Sequence, residues 1–170
     1  ASEVLGALPR MGAGERRDGL PRLGGSAAVD ALVEAARAGR SLDLCGAAGT
    51  GRSRALRDAV ERLRPWCDAV LWLPAGEHPF ASLAPLLGDG GLDGADATAV
   101  LARADAAVLA ALRAGQVLVA DDAERLDRWS AACLSRCRGA GAVLRALCGP
   151  TDGAVTLEPL TEAELRPLFA

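Results

Sequence analysis

Eight consecutive residues, GAAGTGRS at 46–53, combine glycines, small side chains, a cation and a hydroxyl. Gly46, Gly49 and Gly51 allow a backbone to turn tightly with its N–H groups pointing inward. Ala47, Ala48 and Thr50 are small enough to line such a turn, Arg52 brings positive charge, and Ser53 offers a hydroxyl suited to Mg2+. The spacing is G-x-x-x-x-G-[K/R]-[S/T] once arginine is admitted, and the chemistry it suits is the cradling of a polyphosphate. A helix beginning near Arg52 would add the positive end of its dipole. The competing reading is a glycine-rich turn that binds nothing, since alanine- and glycine-rich chains generate such patterns readily.

A second group of residues bears on that choice. VLVADD at 117–122 is an apolar run ending in two carboxylates, about 70 residues after the glycine loop. An acid at a strand tip can order Mg2+ through water, and the next can orient or deprotonate an attacking water. Asp121 and Asp122 are the candidates for those two roles. Alone they would read as solvated aspartates in an ordinary strand-to-loop turn. Together with the loop they point to a nucleotide site at the carboxyl edge of an open α/β sheet.

The elements that would position these residues are legible from periodicity and punctuation. Residues 1–22 are rich in Gly, Pro and Arg and read as a flexible arm or linker, with a single domain over 23–170. Residues 26–39 have helical spacing, with Ser26 as the expected N-cap and Gly39 as the stop. Strands are expected at 41–45, 67–74, 116–122, 141–148 and 154–160, and helices at 52–64, 78–87, 96–114 and 128–138. GDGGLDG at 88–94 reads as a loop. Thr161 with Glu164 forms the pattern of a capping box opening a last helix. Five short strands alternating with helices imply an α/β fold with a mostly parallel sheet covered on both faces.

Composition sets the outer limits. The chain has 170 residues, 51% hydrophobic but only 3% aromatic, so its core is built from Ala, Leu and Val. The net charge of −3 argues against a strong nucleic-acid-binding surface, since no broad basic excess exists to meet phosphates. No apolar run approaches the ~20 residues needed to span a bilayer, and no secretory signal opens the sequence. All 19 basic residues are arginine, and a bias against lysine codons offers one account of Arg52. The five scattered cysteines read as buried free thiols in a reducing cytoplasm. Cys133 and Cys137, four apart on an expected helix, read as packing residues rather than metal ligands. His78 reads as a loop histidine, and Trp66, Trp72 and Trp129 as packing at element edges. RLDRW at 125–129 suits either a partner contact or a solvated helix start.

These residues resemble the P-loop ATPase modules of the STAND and AAA+ type, and most of all the ATPase domain of large LuxR-type transcriptional regulators from actinobacteria. The likeness covers about 23–168 and rests on four stretches. LGGSAAVDALVEAA is similar to the opening motif and helix, LDLCGAAGTGRSRAL to the Walker A segment, and VLVADDAERLD to the Walker B segment with its two acids. LRALCGP and VTLEPLTEAEL are similar to the sensor strand and the joint after it. The resemblance implies a three-layer αβα P-loop NTPase core with strand order 5-1-4-3-2. It also implies ATP or ADP with Mg2+ held by Gly46–Ser53 and Asp121, and a role as a nucleotide-dependent switch for neighbouring domains of a longer cytoplasmic regulator. Self-association is a further partner it allows; nucleic acid and membrane contacts by this segment are not expected.

Departures from the pattern shape the expectation. Gly25 stands where the opening motif has arginine, and Ala28 near where it has an acid. Arg52 replaces the Walker A lysine, and Gly149 precedes Pro150 where arginine is usual. Arginine keeps the charge of lysine but is planar, bulkier and forked. Phosphoryl transfer depends on placement, so hydrolysis should suffer more than binding. The expectation is therefore an ATP-binding switch domain with weak or absent hydrolysis, and the alternative is a pseudo-ATPase interaction module that binds no nucleotide. A small kinase fits less well, because no acceptor-binding motif is visible.

Overall fold

The computed structural model describes residues 25–67, 69–88 and 96–166. The arm expected at 1–22 and all but the first residue of the loop expected at 88–94 lie outside the described residues. In chain order the elements are α1 (Ser26–Arg37), β1 (Leu42–Gly46), α2 (Arg52–Leu63), β2 (Val70–Trp72), α3 (Ala84–Leu87), α4 (Ala97–Arg113), β3 (Val117–Ala120), α5 (Arg128–Cys137), β4 (Val143–Leu147), β5 (Val155–Leu157) and α6 (Glu162–Leu165). Short 3-10 turns precede α3, follow β3 and follow α5.

The five strands form one parallel sheet in the order β2-β3-β4-β1-β5. Read from the other edge this is 5-1-4-3-2, the expected order. Helical segments connect successive strands up to β4, which is what parallel pairing requires. Side chains alternate between two cores. Leu44, Val119, Leu144 and Ala146 face α1 and α2, whereas Leu118, Ala120 and Val143 face α4 and α5. β3 is buried on both faces, as expected of a central parallel strand. The result is a three-layer αβα arrangement.

Several local expectations are corrected. Ser26 is the first residue of α1 rather than its cap; Gly25 holds that place in a left-handed conformation (φ 72°), with no side-chain capping bond. A side chain at position 25 would therefore strain the turn into α1, which gives this glycine a backbone reason. The strand expected at 67–74 shortens to Val70–Trp72, and Cys67 lies outside it. The strand expected at 116–122 ends at Ala120, because the chain turns at its tip and Asp122 is left-handed (φ 52°). The 78–87 helix divides into a 3-10 turn and the four-residue α3. α6 begins just after Thr161, while the Glu164 half of the capping box lies outside the described side chains.

None of the five cysteines forms a disulfide, and Cys133 and Cys137 share the buried face of α5. Burial pushes the Cys133 thiol up to about 12, helped by the Asp105 carboxylate. Cys148, by contrast, is exposed. Trp66 is also more open than packing at an edge would give, at 67% exposure, with the Arg37 guanidinium over its ring. His78 lies in an exposed loop. Among the described residues no cluster of His, Cys, Asp or Glu is arranged to hold a metal, and no helix is long and apolar enough to cross a membrane.

Candidate phosphate-binding site

The glycine loop leaves the tip of β1 and enters α2, so the expected context of strand, turn and helix is present. Gly49 (φ 85°) and Gly51 (φ 91°) are both left-handed, a conformation other residues adopt only under strain. The turn is pinched by Thr50, whose Oγ1 donates to the Ala47 carbonyl at 2.9 Å. Gly46 is required for a different reason. A Cβ there would lie 2.6 Å from Thr50 Oγ1 and 2.9 Å from the Leu157 carbonyl oxygen of β5. No side chain caps α2, whose N-terminal amides open toward the loop.

Ser53 and Asp121 come together. Ser53 Oγ donates to Asp121 Oδ1 at 2.9 Å. Because β4 lies between β1 and β3, this bond reaches across the end of β4 and ties the loop to the tip of β3. The pair presents two hard oxygen atoms, the donor class that Mg2+ prefers.

Arg52 extends toward the same strand tip. Its Nη2 is 3.6 Å from Asp122 Oδ1 and its Nη1 4.0 Å from Glu124 Oε1. Those distances give charge attraction without hydrogen bonds. The side chain is only 9% exposed, and Nη1 is buried with no hydrogen-bond partner. A buried guanidinium donor left unsatisfied costs free energy on the order of 1–3 kcal/mol. It is the kind of group an anion would satisfy.

Glu124 belongs to the cluster but was not a candidate from sequence. It sits in the 3-10 turn Ala123–Arg125 and accepts a hydrogen bond from the Cys148 amide just beyond β4. Burial alone would raise its carboxyl, but the amides of Cys148 and of Glu124 itself, with the charge of Arg52, hold it below the ordinary value. A second group outside the sequence expectation is Asp127. RLDRW places it just before a helix, the N-cap position, so the signal was present. It accepts from the amides of Trp129 (3.1 Å) and Ser130 (2.9 Å), from Ser130 Oγ (2.6 Å), and from Phe80 (3.0 Å) and Ser82 (3.1 Å) in the loop after β2. It therefore fixes the two loops at the carboxyl edge beside the acids.

Next to the phosphate loop is a cavity of about 100 Å3 whose walls include Gly25, Val29, Gly51, Ala55 and Leu157. Typical small-molecule sites occupy ~300–1,000 Å3. This one is smaller, and Arg54, Asp58, Arg62 and Glu158 also line it, so it is a small cleft of mixed polar and apolar character. On the face of the sheet toward α5, the buried Asp43 takes bidentate bonds from Arg145 (2.8 and 2.6 Å) and Arg138 (2.9 and 3.0 Å). That charge cluster fixes β1 beside β4 and so anchors the strand that carries the loop.

The residues present fit a magnesium-bound polyphosphate. The loop depends on glycines at the positions where a Cβ would strain or fill it, one buried cationic donor is unsatisfied, and oxygen donors are paired beside it. With its parallel 5-1-4-3-2 sheet, glycine loop after β1 and acids after β3, the chain has an α/β core of the P-loop NTPase-like class. No family model matches the chain, and no curated protein matches it. Among solved structures, Pif1 helicase from Candida albicans is similar over 83% of this chain and 41% of that one, at 16% identity and a TM-score of 0.45. The chain thus spans about two fifths of that helicase, and a likeness this loose supports no functional inference.

Proposed function

We propose that this domain binds a nucleoside di- or triphosphate with Mg2+ and serves as a regulatory switch within a larger cytoplasmic protein, with weak or absent hydrolysis. The observation that carries the reading is the 2.9 Å bond from Ser53 Oγ to Asp121 Oδ1, which joins the phosphate loop to the acid at the β3 tip. In this reading Gly46–Ser53 cradle the phosphates, Arg52 neutralises their charge, and Ser53 with Asp121 hold Mg2+. The bound ion would supply electrostatic screening of the phosphate oxygens. The base would lie in the cleft beside the loop, whose lining joins Val29, Ala55 and Leu157 to the charged side chains of Arg54, Asp58 and Arg62.

Weak hydrolysis follows from the position of Arg52. In this reading Asp122 would orient water, and the neighbouring guanidinium, 3.6 Å from its carboxylate, would draw it away from that task. The resemblance to LuxR-type regulators supports ATP as the nucleotide, transcription regulation as the output, and neighbouring domains or a second copy as partners. A second reading, a pseudo-ATPase that keeps the fold as an interaction module, is favoured by the same Arg52–Asp122 contact, which gives the cation a counter-charge without a ligand.

Thermal unfolding with millimolar ATP or ADP and Mg2+ separates the two. A ligand present at ~100 times its Kd stabilises the native state by about 2.7 kcal/mol. The expected result is a rise in Tm that disappears in Ser53→Ala. If ATP, ADP and GTP all leave Tm unchanged, the nucleotide reading is wrong and the interaction module stands.

A further inference from the structure

Four groups converge where the glycine loop, the turn after β3 and the end of β4 meet. Arg52 comes from the start of α2, Asp122 and Glu124 from the turn after β3, and the Cys148 amide from the residue after β4. One cation thus faces two carboxylates, and one of those carboxylates also holds the backbone amide just past the end of β4. We propose that Asp122 and Glu124 form an internal counter-anion that competes with phosphate for Arg52, and that Glu124 passes the outcome of this competition to the β4–β5 connection through Cys148. The proposal rests on the reading that the loop takes nucleotide phosphates.

The geometry supports competition rather than cooperation. The contacts at 3.6 and 4.0 Å are loose, and Nη1 is unsatisfied, so the two acids hold Arg52 without saturating its donors. Phosphate oxygens form shorter, charge-assisted bonds with a guanidinium. A phosphate engaging Arg52 would bring like charge toward Asp122 and Glu124. Glu124 then loses its nearest cation, and repulsion favours its withdrawal from the site.

Withdrawal has a defined consequence. The Cys148 amide loses its acceptor, and Cys148, Gly149 and Pro150 are all exposed, with little packing to hold them. This turn begins the connection from β4 to β5, which must pass β1 because β1 lies between them. Occupancy of the loop is thereby converted into a change on the segment leading to the edge strand. Glu124 acts here as a positioning residue, through Arg52 and through Cys148.

Hydrogen exchange at the Cys148 amide, read together with Tm, tests the proposal with Mg2+–ADP as the probe. In the unaltered protein Mg2+–ADP is expected to raise Tm and to speed Cys148 exchange several-fold. Glu124→Gln removes the competing charge but keeps an acceptor oxygen. It is expected to bind Mg2+–ADP roughly two- to fivefold more tightly, with Cys148 exchange no longer responding. Asp122→Asn should tighten binding in the same direction and serves if Glu124→Gln does not fold. A rise in Tm with Cys148 exchange unchanged, or weaker binding by both variants, overturns the competition and leaves the nucleotide reading intact. No rise in Tm defeats the nucleotide reading itself, and the competition with it.

Discussion

Ser53 Oγ and Asp121 Oδ1 lie 2.9 Å apart although 68 positions separate the two residues in the chain. That bond spans the end of β4 and makes the loop and the β3 tip one unit. Arg52, the next residue back, points to the same tip but makes no hydrogen bond with its Nη1. The hydroxyl is satisfied by the fold, whereas the cation is not.

Arg52→Met tests whether that cation is kept for stability or for a ligand. Its ion pairs are long and its partners are 47% and 40% exposed, so they contribute less than about 1 kcal/mol. Removing a buried unsatisfied donor offsets that loss. Chemical denaturation should show the ligand-free variant within about 1 kcal/mol of the parent, while the nucleotide-dependent rise in Tm is lost. A large loss of ligand-free stability would instead assign Arg52 a structural role.

Gly46→Ala should damage both loop and sheet. The added Cβ would meet Thr50 Oγ1, which can rotate, and the Leu157 carbonyl oxygen, which is backbone and cannot move without shifting β5. Overpacking of this kind costs typically ~1–3 kcal/mol. Gly139→Ala is the control, since nothing lies within 4 Å of the Cβ it would add. Denaturation midpoints should fall for Gly46→Ala and stay unchanged for Gly139→Ala.

Asp43 predicts a pH dependence. Burial pushes its carboxyl up, but the hydrogen bonds and charge of Arg145, then Arg138, outweigh that and hold it below its ordinary value of 3.8. A folded value below the unfolded one means the cluster stabilises fully above the unfolded carboxylate range and loses that contribution as pH falls through the folded value. Asp43→Asn leaves two guanidinium groups facing a neutral side chain and should cost about 2–4 kcal/mol near neutral pH. The difference from the parent should shrink as pH falls below about 4, when the parent's own carboxyl becomes neutral. A difference that stays constant in acid would remove Asp43 as the titrating group.

Asp127→Ala removes the acceptor for five donors at once and should destabilise by about 2–4 kcal/mol. The effect should be local as well as global. Exchange should accelerate at the Phe80 and Ser82 amides in the loop after β2, and not only at the start of α5. Equal exchange at those two amides in parent and variant would show that the loop is held by packing alone.

The parts of the fold that were legible in the sequence are those encoded over short stretches. The apolar runs between glycine and proline stops gave five strands, and Gly46–Ser53 announced its turn because every residue of the loop is contiguous. Strand ends were overextended where the chain leaves the sheet early, as at Asp121 and Asp122, since an apolar run does not reveal its last ladder bond. Glu124 was invisible for a different reason. Its partners, Arg52 at the start of α2 and the Cys148 amide past β4, come from distant parts of the chain, and nothing local marks an acid that they meet. Asp43 did leave a trace, as a charge inside the apolar run LDLC, but its two arginine partners are about 100 residues further on.

The strand order also sets a timetable for assembly. β1 is hydrogen-bonded only to β4 and β5, so it has no strand neighbour until the chain has been made as far as residues 143–147. β2 and β3 can pair earlier, but the strand that launches the phosphate loop must wait, and its pairing closes a loop of about 100 residues. During synthesis the glycine turn therefore emerges well before β4, the strand that must pair with β1 before the turn can gain its shape.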